Sequence, residues 1–229
     1  MDADVDIATI AALLGDPTRA RMLVTLMDGR ARTAKELAYG ARITPQTASS
    51  HLAKLLRARL LAVERQSRHR YFRLAAASVA QAVEALMVVS PALPRGMASE
   101  PSLDGLRLAR TCYDHLAGRL GVSVTDAMVR RRLLRPMGRD YLLTASGARI
   151  LARLGVDLEK TRRERRVFAR QCLDWSERRT HLAGALGAAL ARRCVELRWV
   201  HRVDKERTLT LTPQGRRGLR TWFGIQWTR

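Results

Sequence analysis

The chain has 229 residues, 47% of them hydrophobic, and a formal net charge of +21 at pH 7. That apolar fraction excludes global disorder, and no run of about eighteen apolar residues offers a membrane span. The charge points to a polyanionic partner or to an arginine-rich proteome: only Lys35, Lys54, Lys160 and Lys205 are lysines, and arginine is the better fork for phosphate and guanine. The N-terminus, MDADVDIATIAALLGD, is acidic and lacks a signal-peptide pattern, so a cytoplasmic location is expected. Cys112, Cys172 and Cys194 are odd in number and read as unbridged thiols.

Ile7, Ile10, Ala11 and Leu14 recur at helical spacing, and Asp16 before Pro17 caps a second helix. Thr33 and Glu36 form a capping box for a third, ended by a turn through Gly40–Ile43. Thr44 and Pro45 start a fourth, whose Ala48, Leu52 and Leu55 make a buried stripe. This leaves Gln46, Thr47, Ser49, Ser50, His51 and Lys54 largely on the opposite side, as a recognition helix in a major groove requires. Two alternating segments follow, Leu61-Val63-Arg65 and Arg70-Phe72-Leu74, around a polar tip, Gln66-Ser67-Arg68-His69. They read as a wing whose Arg65, Arg68 and Arg70 meet phosphates. A further amphipathic helix begins at Ser78.

LLGDPTRARMLVTLM, TAKELA and TPQTASSHLAKLLRARLLAVERQSRHRYFRLA, in that order, resemble the ArsR-type winged-helix repressors of bacteria. The resemblance implies a homodimer whose first and last helices pair across a two-fold axis. It also implies an inverted-repeat operator in double-stranded DNA and an inducer that releases the protein. It does not extend to the metal sites of that family: ELAYGARI has no cysteine, and AASVAQAVEALMVV offers only Glu84. No cofactor is expected, while a metal or small-molecule inducer stays open.

Residues 1–89 are thus a winged helix-turn-helix DNA-binding and dimerisation domain, and the Pro/Gly/Ser-rich stretch 90–105 is a linker. Residues 106–229 repeat themselves. Ala109-Arg110-Thr111-Cys112-Tyr113-Asp114 is echoed by Ala169-Arg170-Gln171-Cys172-Leu173-Asp174, and His115-Leu116-Ala117-Gly118 by His181-Leu182-Ala183-Gly184. The offset grows from 60 at the cysteines to 66 at the histidines, an insertion of Trp175–Thr180 in the second copy. Each copy, roughly 106–158 and 166–229, reads as two helices, a short hairpin and a Gly-containing helix start. The fold class is mainly α with small β-hairpin wings, and the second half is a duplicated, winged-helix-like α+β domain, resembling the C-terminal extension of longer ArsR-type regulators.

Cys112, Asp114 and His115, matched by Cys172, Asp174 and His181, are candidates for sensing an effector, a metal or a thiol reagent. On a helix Cys112 and His115 would share a face, and the insertion would break that spacing in the second copy. The competing reading makes the cysteines small core residues and the Asp and His local partners. Trp175, Trp199, Trp222 and Trp227 all lie in the second copy or its tail, and with Arg178 and Arg179 they line a pocket for a planar or anionic effector or fill a core. No phosphate loop, His-Glu-x-x-His or Gly-x-Ser-x-Gly element is present, so no enzyme is expected. The function reading is a sequence-specific, homodimeric repressor. Its rival is a nonspecific architectural nucleic-acid binder, since residues 1–90 carry only +5 of the charge and residues 91–229 carry +16.

Overall fold

The computed structural model describes residues 6–66, 69–91, 103–202 and 207–228. Contacts divide these into two compact units, the first holding the residues up to Leu86 and the second those from Asp104 onward.

The first unit is built on capped helices. Helix α1 (Ile7–Leu14) precedes α2 (Pro17–Thr25), where Asp16 accepts from the Arg19 amide and Pro17 occupies the first turn. The Arg19 side chain reaches back to the Leu13 and Ala12 carbonyls at 2.7 and 2.9 Å, satisfying acceptors that the end of α1 leaves open. Strand β1 (Arg32–Thr33) runs into α3 (Ala34–Ala41), whose capping box from Thr33 and Glu36 forms as expected. Helix α3 runs through Gly40, and Arg42, not a glycine, takes the left-handed C-cap at φ 57°.

Thr44 caps α4 (Pro45–Arg57), which buries Ala48, Leu52 and Leu55. Strands β2 (Leu61–Gln66) and β3 (His69–Leu74) pair antiparallel in a sheet of order β1-β3-β2, with Arg65 opposite Arg70. Helix α5 (Ala77–Val89) follows. The first unit is a winged helix-turn-helix. Its core gathers Met22, Leu23, Leu37, Leu52, Leu55 and Phe72, each at most 3% exposed.

In the second unit α6 (Asp104–Leu108) leads into strands β4 (Arg110–Cys112) and β5 (His115–Ala117), helix α7 (Gly118–Arg130), strands β6 (Leu134–Met137) and β7 (Asp140–Leu143) and helix α8 (Ala145–Leu154). After α9 (Leu158–Arg162) the plan returns as β8 (Arg170–Leu173), β9 (Thr180–Ala183), α10 (Gly184–Glu196), β10 (Val200–Arg202), β11 (Leu209–Leu211) and α11 (Pro213–Phe223). The duplication is therefore present, with one correction. Each copy opens on a β-hairpin where the sequence pattern suggested a helix. The segments are short and alternate, and Tyr113 supplies a left-handed turn residue at φ 60°, so a two-residue turn closes the first hairpin.

The copies exchange these hairpins. The sheet β6-β7-β8-β9 joins the second hairpin of copy one to the first hairpin of copy two, with Asp140 opposite Arg170. Its counterpart is the bridge between Arg110 of β4 and Thr208, just before β11. Gly121 and Gly187 make the two helices fit: a Cβ at either would lie 2.3 or 2.4 Å from a carbonyl oxygen, of Leu116 or Leu182 respectively. One core runs through both copies, from Leu120, Met128 and Leu151 to Leu186, Leu190 and Phe223.

Candidate DNA interface and a Cys/His centre

Helix α4 presents the face that the stripe predicts. Gln46, Thr47, Ser49, Ser50 and Lys54 are exposed. Two of these hydroxyls already have partners on the helix: Thr47 Oγ1 lies 2.9 Å from Thr44 Oγ1, and Ser49 Oγ donates to the Pro45 carbonyl at 3.0 Å. Among the described residues the side chains of Gln46, Ser50 and Lys54 are exposed and engaged in no such local bond. His51 is half-buried and turns toward the N-cap of α2, its Nδ1 3.7 Å from Asp16 Oδ1, which draws it back from the outer face. Arg65 and Arg70 are exposed as cross-strand neighbours on the wing, while Arg68 lies outside the described residues.

In the second unit the two hairpins bring Cys112, His115, Cys172 and His181 together. Cys112 stands opposite His115 across β4–β5, and Cys172 stands opposite His181 across β8–β9. The six extra residues of copy two lengthen the loop between β8 and β9 and leave the register intact. The expectation that the insertion breaks the pairing is thus corrected: neighbours across a ladder are set by register, not by sequence spacing. One ligand atom from each of the four residues can be chosen so that all lie within 4.8 Å of one another. Cys112 Sγ and Cys172 Sγ are 4.0 Å apart and His115 Nε2 and His181 Nε2 are 3.2 Å apart.

The two aspartates stand behind the histidines. Asp114 Oδ1 is 3.3 Å from His115 Nδ1, and Asp174 Oδ2 is 3.2 Å from His181 Nδ1. Asp174, wholly buried, also accepts from the Gly118 amide at 2.7 Å, from the buried Arg110 guanidinium at 3.0 Å and from Ser176 Oγ at 2.7 Å. Burial raises its carboxyl, but the bond to His181, the Arg110 charge and the Ser176 bond outweigh that and hold it well below the usual carboxylate range. Burial lowers both histidines, and the aspartates and Cys112 more than offset it, so both are raised.

Trp175 is packed inside the unit. Its ring carries the Arg110 guanidinium at 4.8 Å and is 9% exposed. Sequence reasoning missed Arg110 and Arg166, which pairs with Asp114 at 2.7 Å. Arg110 was visible as a repeated position, but its match Arg170 pairs at the surface with Asp140, so the repeat alone does not say which arginine is buried. Cys194, outside the cluster, sits in the core and its thiol is pushed up to about 12 by burial. It is expected to resist iodoacetamide at neutral pH in the folded chain and to react once denatured. Mass spectrometry after a short pulse checks this, and labelling of native Cys194 at the rate of an exposed thiol contradicts it.

A helix-turn-helix domain model matches residues 14–64. The chain is 46% identical over 212 residues to the uncharacterized HTH-type transcriptional regulator YdfF of Bacillus subtilis (strain 168), covering 92% of this chain and 94% of the relative. It therefore belongs to that family of helix-turn-helix transcriptional regulators and carries their DNA-binding domain. Among solved structures it is similar to the cadmium metal-sensor CMTR of Mycobacterium tuberculosis, at 30% identity over 41% of this chain and 96% of that one, with a TM-score of 0.33. It is also similar to the transcriptional repressor BigR of Xylella fastidiosa, at 27% identity over 38% of this chain and 89% of that one, with a TM-score of 0.36. Among the described residues no helix is long and apolar enough to cross a membrane.

Proposed function

We propose that this regulator is a sequence-specific, homodimeric repressor of the ArsR type, acting in the cytoplasm on an inverted-repeat operator and released by an effector received in its C-terminal unit. The observation that carries the reading is α4: a capped helix, anchored by Ala48, Leu52 and Leu55, that holds Gln46, Ser50 and Lys54 outward. Charge alone needs no such geometry. A dimer is supported by α1, an apolar helix with no buried residue, whose Ile7 is 73% exposed. Ile7→Asp is expected to convert dimer to monomer in light scattering; an unchanged mass places the dimer contact elsewhere.

Selection from random DNA tests the readout. A two-fold symmetric consensus is the expected result, and Gln46→Ala with Ser50→Ala should lower affinity for it about 10- to 100-fold while leaving random DNA unaffected, as loss of base contacts does. Lys54→Ala and Arg65→Ala should instead weaken all DNA alike, each reducing the slope of log K against log salt by about 0.9. Enrichment of no consensus would leave the nonspecific binder, which the +16 charge of residues 91–229 favours.

A further inference from the structure

We infer that Cys112, His115, Cys172 and His181 form a four-coordinate site for a divalent thiophilic cation, zinc in the first instance, that clips the two copies of the C-terminal unit together. Each copy gives one sulfur and one nitrogen, both from a single hairpin. Ligands at about 2.3 Å for sulfur and about 2.0–2.1 Å for nitrogen around a tetrahedral ion stand about 3.3–3.8 Å from one another. The observed 4.0 Å between sulfurs and 3.2 Å between Nε2 atoms lie close to that spacing before any ion has drawn the ligands in.

The surroundings favour an ion at that point. A carboxylate beside Nδ1 keeps the imidazole proton there and leaves Nε2 with its lone pair. Asp114 Oδ1 lies 3.3 Å from His115 Nδ1 and Asp174 Oδ2 lies 3.2 Å from His181 Nδ1, and the two Nε2 atoms meet at 3.2 Å across a buried contact. A cation there would take one lone pair from each Nε2. The carboxylate–histidine–metal arrangement also fixes ring orientation and raises ligand basicity. His115 and His181 are 6% and 0% exposed, and with four protein ligands no position is left for a substrate, which makes this a structural centre in place of a catalytic one. On binding, the two thiols lose their protons to solvent and each sulfur donates an electron pair; no oxidation state changes.

The test needs no DNA, so it stands apart from the reading of α4. The full-length chain, purified reduced, is expected to carry one zinc per chain by elemental analysis. Cobalt(II) added after zinc removal should give the ligand-field bands of a tetrahedral ion together with thiolate-to-metal charge transfer. Cys112→Ser with Cys172→Ser should abolish both, with far-ultraviolet circular dichroism confirming the fold, whereas Cys194→Ala should retain them. Asp114→Asn, a half-exposed positioning residue, should weaken zinc about 10- to 100-fold in a chelator competition. Octahedral cobalt without charge transfer, metal retained by the double cysteine variant, or a Cys112–Cys172 disulfide in a chain that takes up no metal once reduced would each overturn the site.

Discussion

Asp174→Ala is expected to lower the stability of the C-terminal unit by about 3–5 kcal/mol, the cost of leaving one member of a buried ion pair without its partner. Arg110 is 1% exposed and has the Asp174 carboxylate 3.0 Å from its guanidinium. The same carboxylate holds the Gly118 amide at the start of α7 and the Ser176 and Glu177 amides in the long loop of copy two. Its loss strands donors in both copies at once. Trp175, Trp199, Trp222 and Trp227 all lie in this unit, so tryptophan fluorescence during heating follows its unfolding separately from the winged helix. Replacing both partners, Arg110→Met with Asp174→Leu, should recover much of the loss, because an apolar pair carries no uncompensated charge. A single Asp174→Ala variant within about 1 kcal/mol of the parent would show that the pair is not a main support of this unit.

Gly187→Ala is expected to cost about 2–3 kcal/mol, near the upper end for one added methyl group in a packed interior. Its Cβ would sit 2.4 Å from the Leu182 carbonyl oxygen and 3.2 Å from His115 Cβ. The first is backbone within the same copy and cannot rotate away. The second belongs to the other copy, and Gly121 mirrors the arrangement with His181 Cβ at 3.6 Å. Each helix thus rests on the histidine of its opposite repeat. A lowered melting temperature, by on the order of 5–10 °C in the same fluorescence assay, is the expected readout; an unchanged one would mean that α10 slides freely on β5.

The first unit was legible residue by residue because its signals are local. Thr33 with Glu36, Asp16 with Pro17, and Thr44 with Pro45 each act within one helical turn, and all three caps form. The surroundings of His51 were not legible for the opposite reason: its neighbour Asp16 lies 35 residues earlier, and helical periodicity does not report such a contact. In the second unit the repeat singled out Cys112, His115, Cys172 and His181, and the fold brings the four together. The chemistry was assigned to the wrong local structure, since a three-residue spacing suits a helical face as well as a two-residue turn. Only the ladder registers show that an insertion of Trp175–Thr180 leaves both pairs side by side.

The hairpin exchange also sets an order of events during synthesis. Strand β4 is among the first parts of the C-terminal unit to emerge from the ribosome and pairs locally with β5, yet on its other side Arg110 finds a bridge partner only at Thr208. Pairings of such long sequence separation form slowly. The nascent first copy is therefore expected to wait, with that side of its sheet unpaired, until nearly the whole chain has been made. A truncation before β10 should leave not half a domain but an unclosed one, so the two repeats, though alike in sequence, are one folding unit and are expected to be gained or lost together.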